Sequence, residues 1–134
     1  MTILEKYGIH FYKKSNGRFD VKADNHDLGT FIYIYRDVDS VQQLLDDIDL
    51  ALNNQFHLIE DSNWGRELGR DVYLGIINDD QTFDIYYEHS PKIVVTYPLG
   101  DMKEIFSTWL DFIKPRSLFG DLKKLLNRRR NKNR

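Results

Sequence analysis

Three successive β-prone segments constrain the fold of this chain more than any other feature of its sequence. "DVYLGII" (71–77), "TFDIYYE" (82–88) and "KIVVTYP" (92–98) are rich in β-branched and aromatic residues. They are separated by "NDDQ" and "HSP", short connections whose Asn, Asp and Pro residues favour turns. Strand-like segments joined in this way predict an antiparallel meander.

The first half of the chain contains further strand candidates. "ILEKYGIHFYKK" (3–14) and "RFDVKA" (18–23) flank the turn sequence "SNG", a pattern typical of a β-hairpin. "TFIYIYR" (30–36) is apolar at both alternating sets of positions, and we interpret it as a central strand. "EDSNWGRELG" (60–69) is polar and glycine-bearing, and we interpret it as a connection.

Residues 40–54 show helical periodicity, with Asp39 or Ser40 as the predicted N-cap. The predicted buried stripe consists of Val41, Leu44, Leu45, Ile48 and Leu52. Acidic residues in the first turn suit the positive end of the helix dipole.

A second helix is predicted over residues 101–113, starting at an Asp101 N-cap with Glu104 at the third helical position and ending before Pro115. Its predicted buried stripe consists of Ile105, Trp109, Phe112 and Ile113.

The order of these elements is βββ-α-βββ-α. It predicts an α+β fold, with a mostly antiparallel sheet of about six strands and two helices packed on one face. At 134 residues the chain suggests one domain, which we assign to residues 1–114. Residues 115–134 form a basic amphipathic C-terminal segment, predicted as a terminal helix or a tail.

The charge of the chain is divided unevenly along its length. Residues 114–134 contain nine Lys or Arg and one acidic residue, whereas residues 1–113 contain ten basic and twenty acidic residues. Such asymmetry is informative about partners rather than about fold. We call residues 1–113 the body of the chain; their charge predicts an acidic surface, whereas the charge of the C-terminal segment predicts a basic one.

Several classes of function receive little support from the sequence. The chain has no Cys, which excludes disulfides and thiolate metal sites. Its four His residues lie in different segments without metal-ligand spacing, and "DNHD" (24–27) has the composition of a solvated turn. No phosphate-binding glycine loop is present. We therefore expect no catalytic residue, no metal and no cofactor.

The N-terminus lacks the apolar core of a signal peptide, and no run approaches the roughly 18 apolar residues of a membrane span. These features predict a cytoplasmic protein that is not embedded in a membrane.

The acidic body is the strongest candidate for a binding surface. Carboxylates steer the approach of a basic protein, and a few aromatic or aliphatic side chains anchor it once bound. Leu50 is notable as an apolar residue among the carboxylates of the polar helix face. The candidate contact residues are Asp39, Asp46, Asp47, Leu50, Glu60, Asp61, Trp64, Asp79, Asp80, Asp84, Tyr87 and Glu88.

The C-terminal basic segment leaves an alternative open. Arg128, Arg129 and Arg130 could bind nucleic-acid phosphates, which would make the chain a nucleic-acid-associated or regulatory protein. The net negative charge of the body disfavours a polyanionic partner. A segment that folds against its own acidic body, or binds a membrane surface, is also compatible with the pattern.

Two stretches give the chain a family resemblance. "TFIYIYRDVDSVQQLLDDIDLAL" and "KIVVTYPLGDMKEIFSTWLDFI", within residues 3–113, resemble bacterial immunity proteins of contact-dependent growth inhibition and related polymorphic toxin systems. The resemblance implies a cytoplasmic, non-catalytic protein that binds one cognate toxin domain, often a nuclease, and blocks its active site or substrate groove. These families share no common functional residues, so the resemblance assigns none here.

Overall fold

A computed structural model describes residues 1–68, 71–87 and 93–115. The described chain has an α+β fold, as the sequence predicts. Its elements, in order, are α1 (Ile3–Lys6), β1 (His10–Lys13), β2 (Phe19–Lys22), α2 (His26–Ile34), α3 (Val38–Leu52), a 3₁₀ turn (Phe56–Leu58), β3 (Asn63–Leu68), β4 (Asp71–Ile77), β5 (Thr82–Tyr87), β6 (Ile93–Pro98) and α4 (Leu99–Ile113).

The strands form two antiparallel sheets rather than the single six-stranded sheet that we predicted. β1 and β2 pair as an isolated hairpin, and β3, β4, β5 and β6 form a four-stranded meander in sequence order. The predicted hairpin and the predicted 71–98 meander are both confirmed. The single sheet was wrong because the predicted strand at 30–36, which would have joined the two halves, is not a strand.

Residues 30–36 lie largely in α2, so our interpretation of "TFIYIYR" as a central strand was wrong. The Asn25 side chain accepts a hydrogen bond from the backbone N–H of Leu28 at 2.9 Å and caps the helix. Leu28, Phe31 and Ile32 are fully buried at helical spacing. A short run that is apolar all round fits a buried helix as well as a buried strand, so burial of this helix overrides its β propensity.

The segment 60–69 is also not the connection that we predicted, because residues 63–68 form the edge strand β3. β3 pairs with β4 over its whole length, from Asn63 opposite Ile76 to Leu68 opposite Asp71. The other local correction is at the N-terminus, where residues 3–6 form the short helix α1 instead of the start of a strand.

Both long predicted helices are confirmed, although each begins earlier than predicted. The N-cap of α3 is Asp37, whose carboxylate accepts from the backbone N–H of Ser40 at 3.0 Å. α4 begins directly after Pro98 without a side-chain cap. Asp101 instead accepts hydrogen bonds from Lys6 and Tyr7, and thereby ties α4 to the N-terminus.

The core lies between the helices and one face of the meander. α2 contacts all four strands, whereas α4 contacts β5, β6 and α3. Gly75 allows the close approach of α2, because a Cβ atom there would lie 2.5 Å from the ring of Phe31 and 2.6 Å from that of Phe83. The indole of Trp109 donates to the carbonyl of Tyr35 at 2.7 Å and joins α4 to the end of α2.

No helix in the described part of the chain is both long enough and apolar enough to cross a membrane. The C-terminal segment, apart from Pro115, lies outside the described residues, and so do the predictions made for it.

Candidate protein-binding groove

An open groove of about 420 Å³ separates α3 from the start of the meander. It is lined by Gln43, Asp46, Asp47, Leu58, Glu60, Asp61, Asn63 and Trp64, and we call it the acidic groove. Four of these residues are carboxylates, and none of the described residues that line it is Lys, Arg or His. Five of the predicted contact residues therefore meet in one place.

Three elements build the acidic groove. Gln43, Asp46 and Asp47 share one face of α3, because residues three and four apart are neighbours on a helix. The opposite face of α3 is buried in the core, which fixes the direction in which these side chains point. The chain after the 3₁₀ turn supplies Glu60 and Asp61, and the first residues of β3 supply Asn63 and Trp64.

Asp47 is the electrostatic centre of the groove. Burial raises its pKa above the ordinary value, and the nearby carboxylates of Asp46, Glu60 and Asp61 raise it further. The indole of Trp64 acts in the opposite direction and lowers this pKa. The buried Nε1 of Trp64 nevertheless lacks a hydrogen bond of normal geometry within the described residues.

The part of the chain that the structure describes donates few hydrogen bonds to the groove carboxylates. Asp46 accepts from the Gln42 side chain at 2.9 Å, and Asp61 accepts from the backbone N–H of Asn63 at 2.9 Å. By contrast, Asp37, the N-cap of α3, forms an ion pair with Arg66, and Asp49, on another part of α3, forms one with Lys103. The groove therefore concentrates the acids of this region that lack a cationic partner among the described residues.

Leu58 adds an apolar contact point that the sequence analysis missed. Its side chain is 54% exposed, an unusual exposure for a large aliphatic residue in this structure. Gln43 and Asn63 also line the groove without having been predicted as contact residues. The only sequence signal for Leu58 was its position just before Glu60 and Asp61, which by itself does not reveal exposure.

Four other predicted residues do not line the groove. Asp39 is exposed one helical turn before Gln43, and Leu50 is half-buried one turn beyond Asp46 and Asp47. Asp79 and Asp80 are exposed in the β4–β5 turn. This turn lies at the same end of the sheet as the groove, because the N–H of Ile77 donates to the carbonyl of Ser62 at 3.0 Å.

Two predicted residues are placed where they stabilise the sheet, and one cannot be placed. Asp84 is only 8% exposed and accepts from Asn78 at 2.9 Å and from Thr96 at 2.6 Å. Tyr87 packs on Tyr73 with their ring centroids 5.2 Å apart. We therefore leave both out of the candidate surface. Glu88 lies outside the described residues.

A second cavity, of about 460 Å³, lies between the β1–β2 hairpin and α2. We call it the hairpin cavity; its lining includes Tyr12, Asp20, Lys22, His26, Thr30 and Tyr33. The carboxylate of Asp20 accepts from the Tyr12 hydroxyl at 2.9 Å and from the Val21 N–H at 2.7 Å, and it pairs with Lys14 at 3.0 Å. Burial tends to raise the pKa of Asp20, but these three donors together lower it.

Metal binding finds no support in the described residues, because no three of their His, Asp or Glu side chains are arranged to hold an ion. His89 lies outside the described part of the chain.

Comparison with known proteins adds no relative. No protein-family model, no curated protein and no solved structure matches this chain significantly.

Proposed function

We propose that this chain is an immunity protein, which binds a cognate basic toxin domain through the acidic groove and neutralises it by blocking its active site or substrate groove. The observation that carries the proposal is the meeting of Asp46, Asp47, Glu60 and Asp61 in one groove without a lining cation among the described residues. The proposal places the protein in the cytoplasm, as the family resemblance implies.

A nuclease is the kind of toxin that fits this groove best. A nuclease must present Lys and Arg to the phosphates of its substrate, and carboxylates can replace those phosphates with charge-assisted hydrogen bonds. Complementary charge also raises the association rate, which matters when unbound toxin is harmful.

The raised pKa of Asp47 supports a role in binding. Burial of the carboxylate is the largest cause of this shift, and repulsion from the neighbouring carboxylates adds to it, so ionised Asp47 reduces the stability of the fold. A cation placed in the groove would remove that repulsion. Part of the electrostatic cost of the free protein would thus be converted into affinity for a basic partner.

Leu58 and Trp64 supply the apolar part of the proposed contact. Binding energy at protein interfaces is concentrated in a few well-packed side chains surrounded by polar contacts. Leu58 is exposed and Trp64 is half-buried, and both lie among the groove carboxylates. This combination gives the groove an anchor in addition to its charge.

The test is co-expression with the toxin domain that, on this proposal, is encoded beside the gene for this chain. The wild-type chain should protect growth, and the double variant Asp46→Lys/Asp47→Lys should lose protection. With purified proteins, we expect the association rate at low salt to fall at least about tenfold.

The matched control is Glu104→Lys/Asp111→Lys, which makes the same change in net charge at exposed positions of α4. This control should protect growth as the wild type does. Equal protection by all three chains would contradict a role for the groove, and the absence of protection by the wild type would overturn the proposal as a whole.

A further inference from the structure

The edge of the meander beside the acidic groove is unpaired within the described chain. β3 is the outer strand of the sheet, and β4 is its only partner in residues 1–68, 71–87 and 93–115. Free strand edges carry backbone donors and acceptors that can pair with another chain, and natural proteins commonly cover or charge such edges. The edge of β3 therefore offers a partner backbone hydrogen bonds in addition to the charge of the acidic groove.

The register identifies the backbone groups that face outward. The N–H of Ile77 donates to Ser62, so residues 62, 64, 66 and 68 are those that bond to β4. The backbone groups of Asn63, Gly65 and Glu67 consequently point away from the sheet. The N–H of Asn63 is capped by the Asp61 carboxylate at 2.9 Å. Among the described residues, nothing pairs with the outward backbone groups of Gly65 and Glu67, which are therefore available to a partner.

The negative charge of the acidic groove favours a basic chain as the partner at the outer edge of β3. Trp64 lies on the inner face of the sheet, opposite Gly75, and also lines the acidic groove. Side chains alternate between the two faces of a strand, so every second side chain of an added strand would point toward the groove. Lys or Arg at those positions would meet Asp46 and Asp47.

A second copy of this chain is a poor occupant of the same edge. Pairing two β3 strands would bring the four carboxylates of one groove close to those of the other. Like charges at an interface disfavour association. An extended basic segment of a different protein has the complementary charge.

We propose that the partner binds by strand addition, in which an extended Lys- or Arg-bearing segment pairs with the outer edge of β3 and directs alternate side chains into the acidic groove. Backbone pairing gives affinity in this mode, and the alternating side chains give specificity. This inference rests on the proposed function, since it names how the same groove engages its partner.

The experiment uses the full chain and a defined probe, a peptide of alternating lysine and threonine about six to eight residues long, the length of a typical strand. A second peptide has the same sequence but is N-methylated at alternate residues, which keeps its charge and removes the donors needed for strand pairing. Dissociation constants are measured by calorimetry, and the amide signals of Gly65 and Glu67 are followed by NMR. We expect N-methylation to weaken binding about tenfold.

A pair of variants tests the edge from the other side. Gly65→Pro removes an outward N–H while leaving the β3–β4 hydrogen bonds intact, because the N–H of Gly65 does not face β4. Gly65→Ala retains that N–H and is the matched control, since its Cβ meets only the end of the Leu74 side chain, at 3.2 Å. The Pro variant should bind the unmodified peptide several-fold more weakly than the Ala variant.

The possible results separate the edge from the groove. Weakening by N-methylation and by Gly65→Pro, with loss of binding in Asp46→Lys/Asp47→Lys, supports strand addition. Equal affinity for both peptides, with loss only on charge reversal, overturns strand addition and leaves the acidic groove as the binding site. If Gly65→Pro fails to fold, the two peptides decide the question on the wild-type chain.

Two further results would also overturn the inference. The first is no peptide binding at millimolar concentration; the proposed function would still be tested independently by growth protection. The second is a wild-type dimer that Gly65→Pro converts to a monomer, because the edge would then pair with a second copy.

Discussion

The acidic groove and the hairpin cavity are similar in size, yet the pKa values of the carboxylates in them, Asp47 and Asp20, are shifted in opposite directions. Asp20 in the hairpin cavity is held by Tyr12, Val21 and Lys14, and its pKa is lowered. Burial raises the pKa of Asp47 in the acidic groove, and nearby carboxylates raise it further. The same residue type stabilises the fold in one region and strains it in the other.

This difference separates structural acids from candidate binding acids. A carboxylate with donors on several sides contributes to folding and has little left to offer a partner. A carboxylate whose neighbours are other carboxylates reduces stability until a cation arrives. α3 shows both kinds, since Asp37 pairs with Arg66 at 2.7 Å while Asp47 lies in the groove.

The largest effect is expected at Arg66, which pairs with a structural acid. Its guanidinium donates to Asp37, to Ser40 at 2.8 Å and to the carbonyl of Ile34 at 3.2 Å. We expect Arg66→Met to lower the free energy of unfolding by about 2 kcal/mol, because several partners lose a donor together. Urea denaturation measures the change.

Arg66→Lys is the matched variant, because it keeps the charge and loses the planar fork of donors. It should recover only part of the lost stability. If Arg66→Met were as stable as the wild type, the distinction between structural acids and groove acids would fail on α3.

The next largest effect is expected for Asp20→Asn. The change removes the negative charge that Lys14, Tyr12 and the Val21 N–H stabilise. We expect the free energy of unfolding to fall by about 1 kcal/mol. Asp111→Asn, on the exposed side of α4, has the same change of charge and should be nearly neutral. Thermal and urea denaturation of the three proteins give the comparison.

Asp47→Asn should change the free energy of unfolding in the opposite direction and stabilise the protein. Removing this charge removes the cost of burying it and also its repulsion with Asp46, Glu60 and Asp61, so the free energy of unfolding near pH 7 should rise by about 0.5 kcal/mol. The same variant should bind a basic partner more slowly. A loss of stability would show that Asp47 is a structural acid after all.

The pH dependence of these two variants sharpens the contrast. The pKa of Asp20 is lowered by folding, so its stabilisation is complete above the unfolded-state pKa of about 4 and is lost as the pH falls below it. The pKa of Asp47 is raised by folding, so its destabilisation is complete at neutral pH and is relieved as the pH falls through the raised value.

Each variant differs from the wild type in its free energy of unfolding at pH 7, and acidification should reduce both differences. The difference for Asp47→Asn should decrease at a higher pH than the difference for Asp20→Asn. Urea denaturation in steps from pH 7 to about pH 3 measures both. The reverse order would contradict the assigned directions of the two pKa shifts.

The smallest effect is expected from salt. Repulsion between partly exposed carboxylates is screened, since the Debye length falls from about 10 Å at 0.1 M to about 3 Å at 1 M ionic strength. The increase in the free energy of unfolding caused by Asp47→Asn should become smaller by a few tenths of a kcal/mol over this range of ionic strength. The loss from Asp20→Asn should change less, because direct hydrogen bonds hold that carboxylate.

Where the local pattern was unambiguous, the sequence was sufficient to predict the element. The buried stripes of α3 and α4 have a clear period, and the strands between residues 71 and 98 are bounded by strong turn residues. The run 30–36 was ambiguous, because a buried helix and a buried strand can have the same apolar composition. β3 was missed because an edge strand with a polar outer side resembles a loop in composition.

The acidic groove was only partly predictable for a related reason. The sequence pattern predicted Asp46, Asp47, Glu60, Asp61 and Trp64 as contact residues, but it predicted Asp84 equally. The carboxylate of Asp84 turned out to be buried beside Asn78 and Thr96. Whether a carboxylate faces donors or other carboxylates depends on residues distant in sequence, and periodicity does not report such contacts.

The sequence by itself determined the α+β class, the two long amphipathic helices, the antiparallel meander and the acidic character of the body. Periodicity and turn chemistry are local properties, and net charge is additive along the chain. Only the tertiary structure decided that α2 is a helix, that the strands form two sheets, and that acids from α3 and from residues 60–61 meet beside the edge strand β3. Those outcomes depend on which side chains distant in sequence pack together. Tertiary packing determines these contacts, and local secondary-structure propensity does not.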